Sequence, residues 1–326
     1  MKTAPLMKAA MIAVKDCLAV KPEETALVVT DTEKLDIARA FLLALHAIGA
    51  DATLTIMIPR QYNGQEPPRD IAAAMKASDV VFIPTTRSLS HTKARMAASK
   101  AGARIASMPG ITEGMMTVGG MTADYRKVSE LSWKLTELLD KTKRIQITTS
   151  RGTNLVMSVE GRKPGTPPDD GWYTESGRWG NLPAGEAYIA PVEESVEGTA
   201  VIDGSMASIG SLKDPIRLRI EKGRAVAIEG GVEAAAFRKL LEDIQDPNAY
   251  IVGEFGIGTN EKARLMGNIL EDEKVLETVH IALGMNTDMG GKIDSKTHND
   301  GIILNPTVKF DDRTVLEQGK IVICQV

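Results

Sequence analysis

A chain of 326 residues exceeds what one hydrophobic core usually serves, and its 43% hydrophobic and 25% charged residues suit a soluble protein of two domains. A net charge of −4, 4% aromatic residues and no long Lys/Arg block exclude a nucleic-acid partner and a polybasic membrane contact. Two cysteines, Cys17 and Cys324, exclude a disulfide framework and a thiolate zinc site, and a reducing, cytoplasmic location is expected.

The N-terminal run "MKTAPLMKAAMIAVKDCLAV" is interrupted by Lys8, Lys15 and Asp16, so it predicts an amphipathic helix over 6–20 rather than a signal peptide. No stretch approaches the roughly 20 apolar residues of a membrane span. "TALVVTD" (25–31) predicts a strand, and 34–50 a helix that stops at Gly49. Strands are predicted at 51–59, 80–86 and 104–110, with helices over 69–79 and 91–103 between them. His46 and His91 are assigned to packing or capping in these helices. Alternating helices and strands with almost continuously apolar strands predict a doubly wound parallel sheet over 1–142, closed by a longer amphipathic helix at 124–142.

The texture changes from residue 143. A β-hairpin with Arg151-Gly152 at its turn is followed by a long loop, 161–185, rich in Gly, Pro, Asp and Trp. Short strand candidates then run to the C-terminus, interrupted by a helix at 232–244. The fold class expected is an α/β doubly wound domain, 1–142, followed by an α+β metal-binding domain, 143–326.

The chemistry gathers in the second half. His298-Asn299-Asp300, if extended, turns an imidazole and a carboxylate to one face. His280 opens the apolar run "HIALG". Glu254 interrupts the apolar stretch "YIVGEFGIG", where a carboxylate is costly unless paired or bound to metal. Glu186 ends the long loop and Glu273 precedes the His280 run. Imidazole and carboxylate without thiolate suit Zn, Co, Mn or Fe(II). Taken singly, each residue also has a plain structural role. His298 and Asp300 serve as turn residues, His280 as a core histidine, Glu186 and Glu273 as surface charges, and "LEDEK" (270–274) as a solvated helix face. The first strand lacks the Gly-rich turn of a dinucleotide site, and there is no P-loop or G-x-S-x-G elbow.

In order, "NLPAGEAYIAPVEESVEGTAVIDGSM", "GEFGIGTNEKARLMGNILEDEKVLETVHIALG" and "THNDGIILNPTV" resemble the M29 metallopeptidases, the aminopeptidase T family. That resemblance implies two domains, a dimer, and two divalent ions in the second domain that remove N-terminal residues from a peptide substrate. By motif it implies Glu254, His280, His298 and Asp300 as metal ligands, with Glu186 or Glu273 as general base and two Zn, Co or Mn ions about 3.5–4 Å apart. Glu193-Glu194 offers a rim for the substrate's ammonium group, although a solvated strand edge is the reading preferred for these two residues. One departure stands out: no tyrosine follows HIALG, and Thr287 lies near its place. That moves the chain toward the 2,5-dihydroxypyridine dioxygenase branch of the same fold, which implies one Fe(II) held by His280, His298 and Asp300. A third alternative is a non-enzymatic relative that keeps the scaffold. The three acids beyond such a triad favour the two-metal reading, so an aminopeptidase is expected.

Overall fold

Strands Thr25–Asp31 and Val80–Thr85 are buried along nearly their whole length, which requires cover on both faces. They form the middle of a five-stranded parallel sheet in the order 51–57, 25–31, 80–85, 104–109, 179–181. Helices Leu35–Ala47, Arg69–Ala77 and Lys93–Lys100 connect the first four strands. The structure, a computed structural model, describes residues 4–323, so Cys324 and the end of the expected last strand lie outside the described residues. The chain divides into two compact units, 1–129 with 169–184 and 261–263, and 130–168 with 185–260 and 264–326. Together they make a two-domain α/β fold with a sheet-rich second unit.

The first unit follows the periodicity closely. Gly49 takes φ +85°, as a helix-ending glycine does. The N-terminal helix differs in form: it is α-helical over Met7–Ile12 and π-helical over Ala13–Cys17. His46 and His91 are both exposed; Thr92, not His91, caps the following helix by accepting from the Arg95 amide. Part of the expected 161–185 loop is the fifth strand, Trp179–Asn181, paired with Ile105–Ser107. Three residues with a central glycine carry no strand signal. The pairing is fixed from outside the segment: a Cβ at Gly180 would lie 2.4 Å from the Tyr173 ring, and the Arg95 guanidinium sits 3.7 Å from the centre of the Trp179 ring.

The second unit is built from two antiparallel sheets. One has eight strands, in the order 224–229, 216–221, 197–202, 154–158, 144–148, 307–310, 313–317, 320–321. The other has six, in the order 210–211, 205–206, 298–303, 279–284, 252–258, 186–189. One hydrophobic core takes Ile145, Leu155 and Leu218 from the first sheet, and Phe255, Ile281 and Ile303 from the second. Helix Val232–Ile244 adds Ala234, Phe237 and Leu241 to it. Among the described residues no helix is long and apolar enough to cross a membrane.

Candidate metal centre

Four adjacent strands of the six-stranded sheet carry five of the six expected site residues. Alternation sends Val279, Ile281 and Leu283 into the core and leaves His280 and Ala282 on the opposite face. The Glu254 strand reaches that face only through a bulge. Val252, Phe255 and Ile257 all enter the core, and the register against the His280 strand shifts between Val252 and Glu254. Without the extra residue, Glu254 would share Val252's face and point into hydrocarbon. The extra residue is Gly253, where a Cβ would lie 2.5 Å from the Gly284 carbonyl oxygen. Pairing then places Glu254 and Asp300 on either side of Ala282, His298 opposite Gly284, and Glu186 opposite Gly258.

The side chains converge. His298 Nε2 lies 2.9 Å from Glu254 Oε2 and 3.3 Å from Asp300 Oδ1. His280 Nε2 lies 3.4 Å from Glu254 Oε1 and 3.3 Å from Glu186 Oε2. Two potential ligand groups result, Glu254–His298–Asp300 and Glu186–Glu254–His280, with Glu254 common to both. The Met285 carbonyl, 2.7 Å from His298 Nδ1, accepts a hydrogen bond from it and so turns Nε2 toward the carboxylates. The short segment between the histidines folds around Asn286. Its side chain donates to the Gly253 carbonyl and accepts from the Ile293 amide, which holds Met285 in place. Thr287 starts a short 3₁₀ turn, Thr287–Met289.

Burial opposes the charge on both imidazoles. Glu186 and Glu254 nevertheless hold His280 well above 6.5, and Asp300 and Glu254 do the same for His298. Glu254 is likewise disfavoured as an anion by burial, but the two imidazoles hold it well below the ordinary carboxylate range.

Glu273 and the stretch around it differ from the surface roles expected. Residues 270–274 do not form a solvated helix face: Leu270, Glu271, Asp272 and Lys274 are buried, the first three in helix Ile269–Asp272. Glu271 and Asp272 accept from the Arg264 and Met266 amides. Lys274 Nζ lies 2.6 Å from Glu186 Oε1 and 2.7 Å from Glu273 Oε1, with its side chain 2% exposed. Burial pushes the Glu273 carboxyl up to about 8, against the pull of Lys274. The contact with Nζ suits either protonation state, because an unprotonated oxygen remains to accept. Lys274 escapes sequence reading because nothing distinguishes it from the solvated lysines of other helix ends. Glu193 makes no free acidic rim: it pairs with Arg162 and accepts from the Lys292 amide.

The donor set fits a divalent cation. Both ring nitrogens of His280 are buried without a hydrogen-bond partner, although carboxylate oxygens stand 3.3 and 3.4 Å from Nε2. An imidazole buried among carboxylates without a well-formed hydrogen bond suits a ligand that exchanges its proton for a cation better than a satisfied core histidine.

Residues 6–323 match the family model described as 2,5-dihydroxypyridine 5,6-dioxygenase. The chain belongs to this family. A 2,5-dihydroxypyridine 5,6-dioxygenase from Pseudomonas putida is 26% identical over 266 residues, covering 76% of this chain and 72% of that protein. The solved structure of 2,5-dihydroxypyridine dioxygenase from Pseudomonas putida superposes with TM-score 0.81 at 21% identity over 98% of both chains. Wild-type AmpT from Thermus thermophilus gives 0.73 at 17% identity over 98% of this chain and 99% of its own. The likeness to the M29 side is thus one of fold. The expectation of an aminopeptidase, a hydrolase of the M29 family, is corrected by the dioxygenase family match. Glu186 and Glu273 are met by the Lys274 ammonium, so the number of carboxylates does not count metal ions.

Proposed function

We propose that this chain is a mononuclear Fe(II) dioxygenase that opens a dihydroxylated pyridine ring. The observation that carries the reading is the dioxygenase family match from residue 6 to 323. The imidazole-and-carboxylate face described above supports it. The ion would be held by Glu254, His298 and Asp300, the group whose histidine is the more exposed, with a 24% accessible side chain. His280, at the other oxygen of the same carboxylate, would complete the set from the buried side. A ferrous ion, when bound, would relay electrons from the spin-paired ring to dioxygen.

The chain's own groups do the rest. Met285 holds His298 through Nδ1, so that Nε2 is the nitrogen that would give up its proton and ligate. Glu254 presents one oxygen to each imidazole and ties the two histidine strands to one centre. Burial of Glu186, Glu254, His280 and Asp300 keeps bulk water from the inner side. The net reaction joins one dioxygen to one ring, breaks a ring bond and releases nothing else.

The test is anaerobic loading with Fe(II), then 2,5-dihydroxypyridine and oxygen. Equimolar loss of ring absorbance and oxygen is expected, with both atoms of heavy-labelled dioxygen in the acyclic product. A fully iron-loaded protein that consumes neither 2,5-dihydroxypyridine nor other dihydroxypyridines rejects the reading.

A further inference from the structure

The Lys274 ammonium stands inside the acid cluster. Its side chain is 2% exposed, and Glu186 and Glu273 each place an oxygen within 2.7 Å of Nζ. Glu186 is shared: Oε1 meets Lys274 while Oε2 faces His280 Nε2 at 3.3 Å. The lysine is held by backbone as well as charge. Its amide donates to the Glu271 carbonyl and its carbonyl accepts from the Asn260 amide at 2.9 Å. It is therefore a fixed part of the fold, not a surface side chain folded inward.

Six carboxylate or imidazole groups, Glu186, Glu254, Glu273, His280, His298 and Asp300, could serve two divalent ions if Glu186 and Glu273 were both free to ligate. Lys274 already holds Glu273 Oε1 and one of the two Glu186 oxygens, leaving only Glu186 Oε2 beside His280. A second ion there would lie next to the ammonium, and like charges at that range in a buried site repel strongly. We propose that Lys274 is a built-in cation that fills the Glu186–Glu273 pocket, so that the centre takes one divalent ion instead of two. Lys274 is thus a positioning residue, holding Glu186 against His280 and setting the metal count. This rests on the mononuclear reading given above.

Mn(II) is the probe. Metal-free wild type and Lys274→Met are titrated with Mn(II), counted by mass spectrometry of the metal, and examined by electron paramagnetic resonance. Wild type is expected to take one ion per chain with the six-line signal of isolated Mn(II). Lys274→Met is expected to take a second, with an exchange-coupled pair signal, while Lys274→Arg stays at one. Two ions in wild type, or a single uncoupled ion in Lys274→Met, overturns the proposal. If Lys274→Met does not fold alone, refolding it with Mn(II) decides. Recovery of folded protein with two ions supports the proposal, and no recovery overturns it. The metal count is read without turnover, so a one-ion wild type and two-ion variant lacking dioxygenase activity would reject the functional reading and leave this inference standing.

Discussion

Gly256 pairs directly with His280 across two antiparallel strands, and a Cβ on residue 256 would fall 2.0 Å from His280 Nε2. The glycine is the space in which the imidazole lies. Gly256→Ala forces the ring out of line with Glu186 and Glu254. We expect a loss of metal affinity of about 10–100-fold, with an overpacking cost of about 1–3 kcal/mol. Metal titration and thermal denaturation of the metal-free variant check the two separately. Unchanged affinity would place His280 outside the metal centre.

His298→Ala should abolish metal binding. The metal-free fold also loses the hydrogen bond to the Met285 carbonyl and the imidazole's contacts with Glu254 and Asp300, a cost of about 1–3 kcal/mol. Metal content after desalting and a denaturant titration report the result. A large stability loss with metal retained would return His298 to a structural role.

Metal affinity should rise as pH climbs above the ordinary imidazole range, because proton and ion compete for the same nitrogens. His280 and His298 are both held well above 6.5 in the metal-free protein. Binding at neutral pH therefore expels protons, and calorimetric heats should change with the buffer's ionisation enthalpy. The same shifts set the sign for stability. A raised imidazole contributes fully below its unfolded value and loses that contribution as pH rises through the folded one. The metal-free protein should accordingly weaken on the alkaline side more than the loaded protein does. Buffer-independent heats would contradict protonated imidazoles.

In the first unit, Arg104 grips Glu24 with two nitrogens, at 2.7 and 3.1 Å, and gives its Nε to the Leu18 carbonyl at 3.0 Å. A lysine cannot reproduce that fork, so Arg104→Lys should destabilise by about 1–2 kcal/mol. Burial opposes the Glu24 charge, but Arg104 and the Lys21 amide hold its carboxyl below its ordinary value. Its contribution is present above the unfolded value and is lost as pH falls through the folded one. Wild type should thus lose stability on acidification more steeply than Arg104→Lys, as denaturant midpoints at pH 7 and pH 3 will show.

The sequence by itself determined the doubly wound sheet, because the period of apolar residues and the stop at Gly49 are local properties. It also singled out Glu254, His280, His298 and Asp300, since acids and imidazoles in apolar strands are rare unless used. Three things belonged to the tertiary structure alone. The Gly253 bulge decides which face Glu254 takes, and a bulge depends on the partner strand's register. The strand Trp179–Asn181 forms because Tyr173 and Arg95 pack against it, not because of its own residues. Lys274 reads as a solvated charge until the fold brings Glu186, 88 positions earlier in the chain, against its ammonium. Charge balance in a buried site is a sum over neighbours in space, and a linear pattern does not contain that sum.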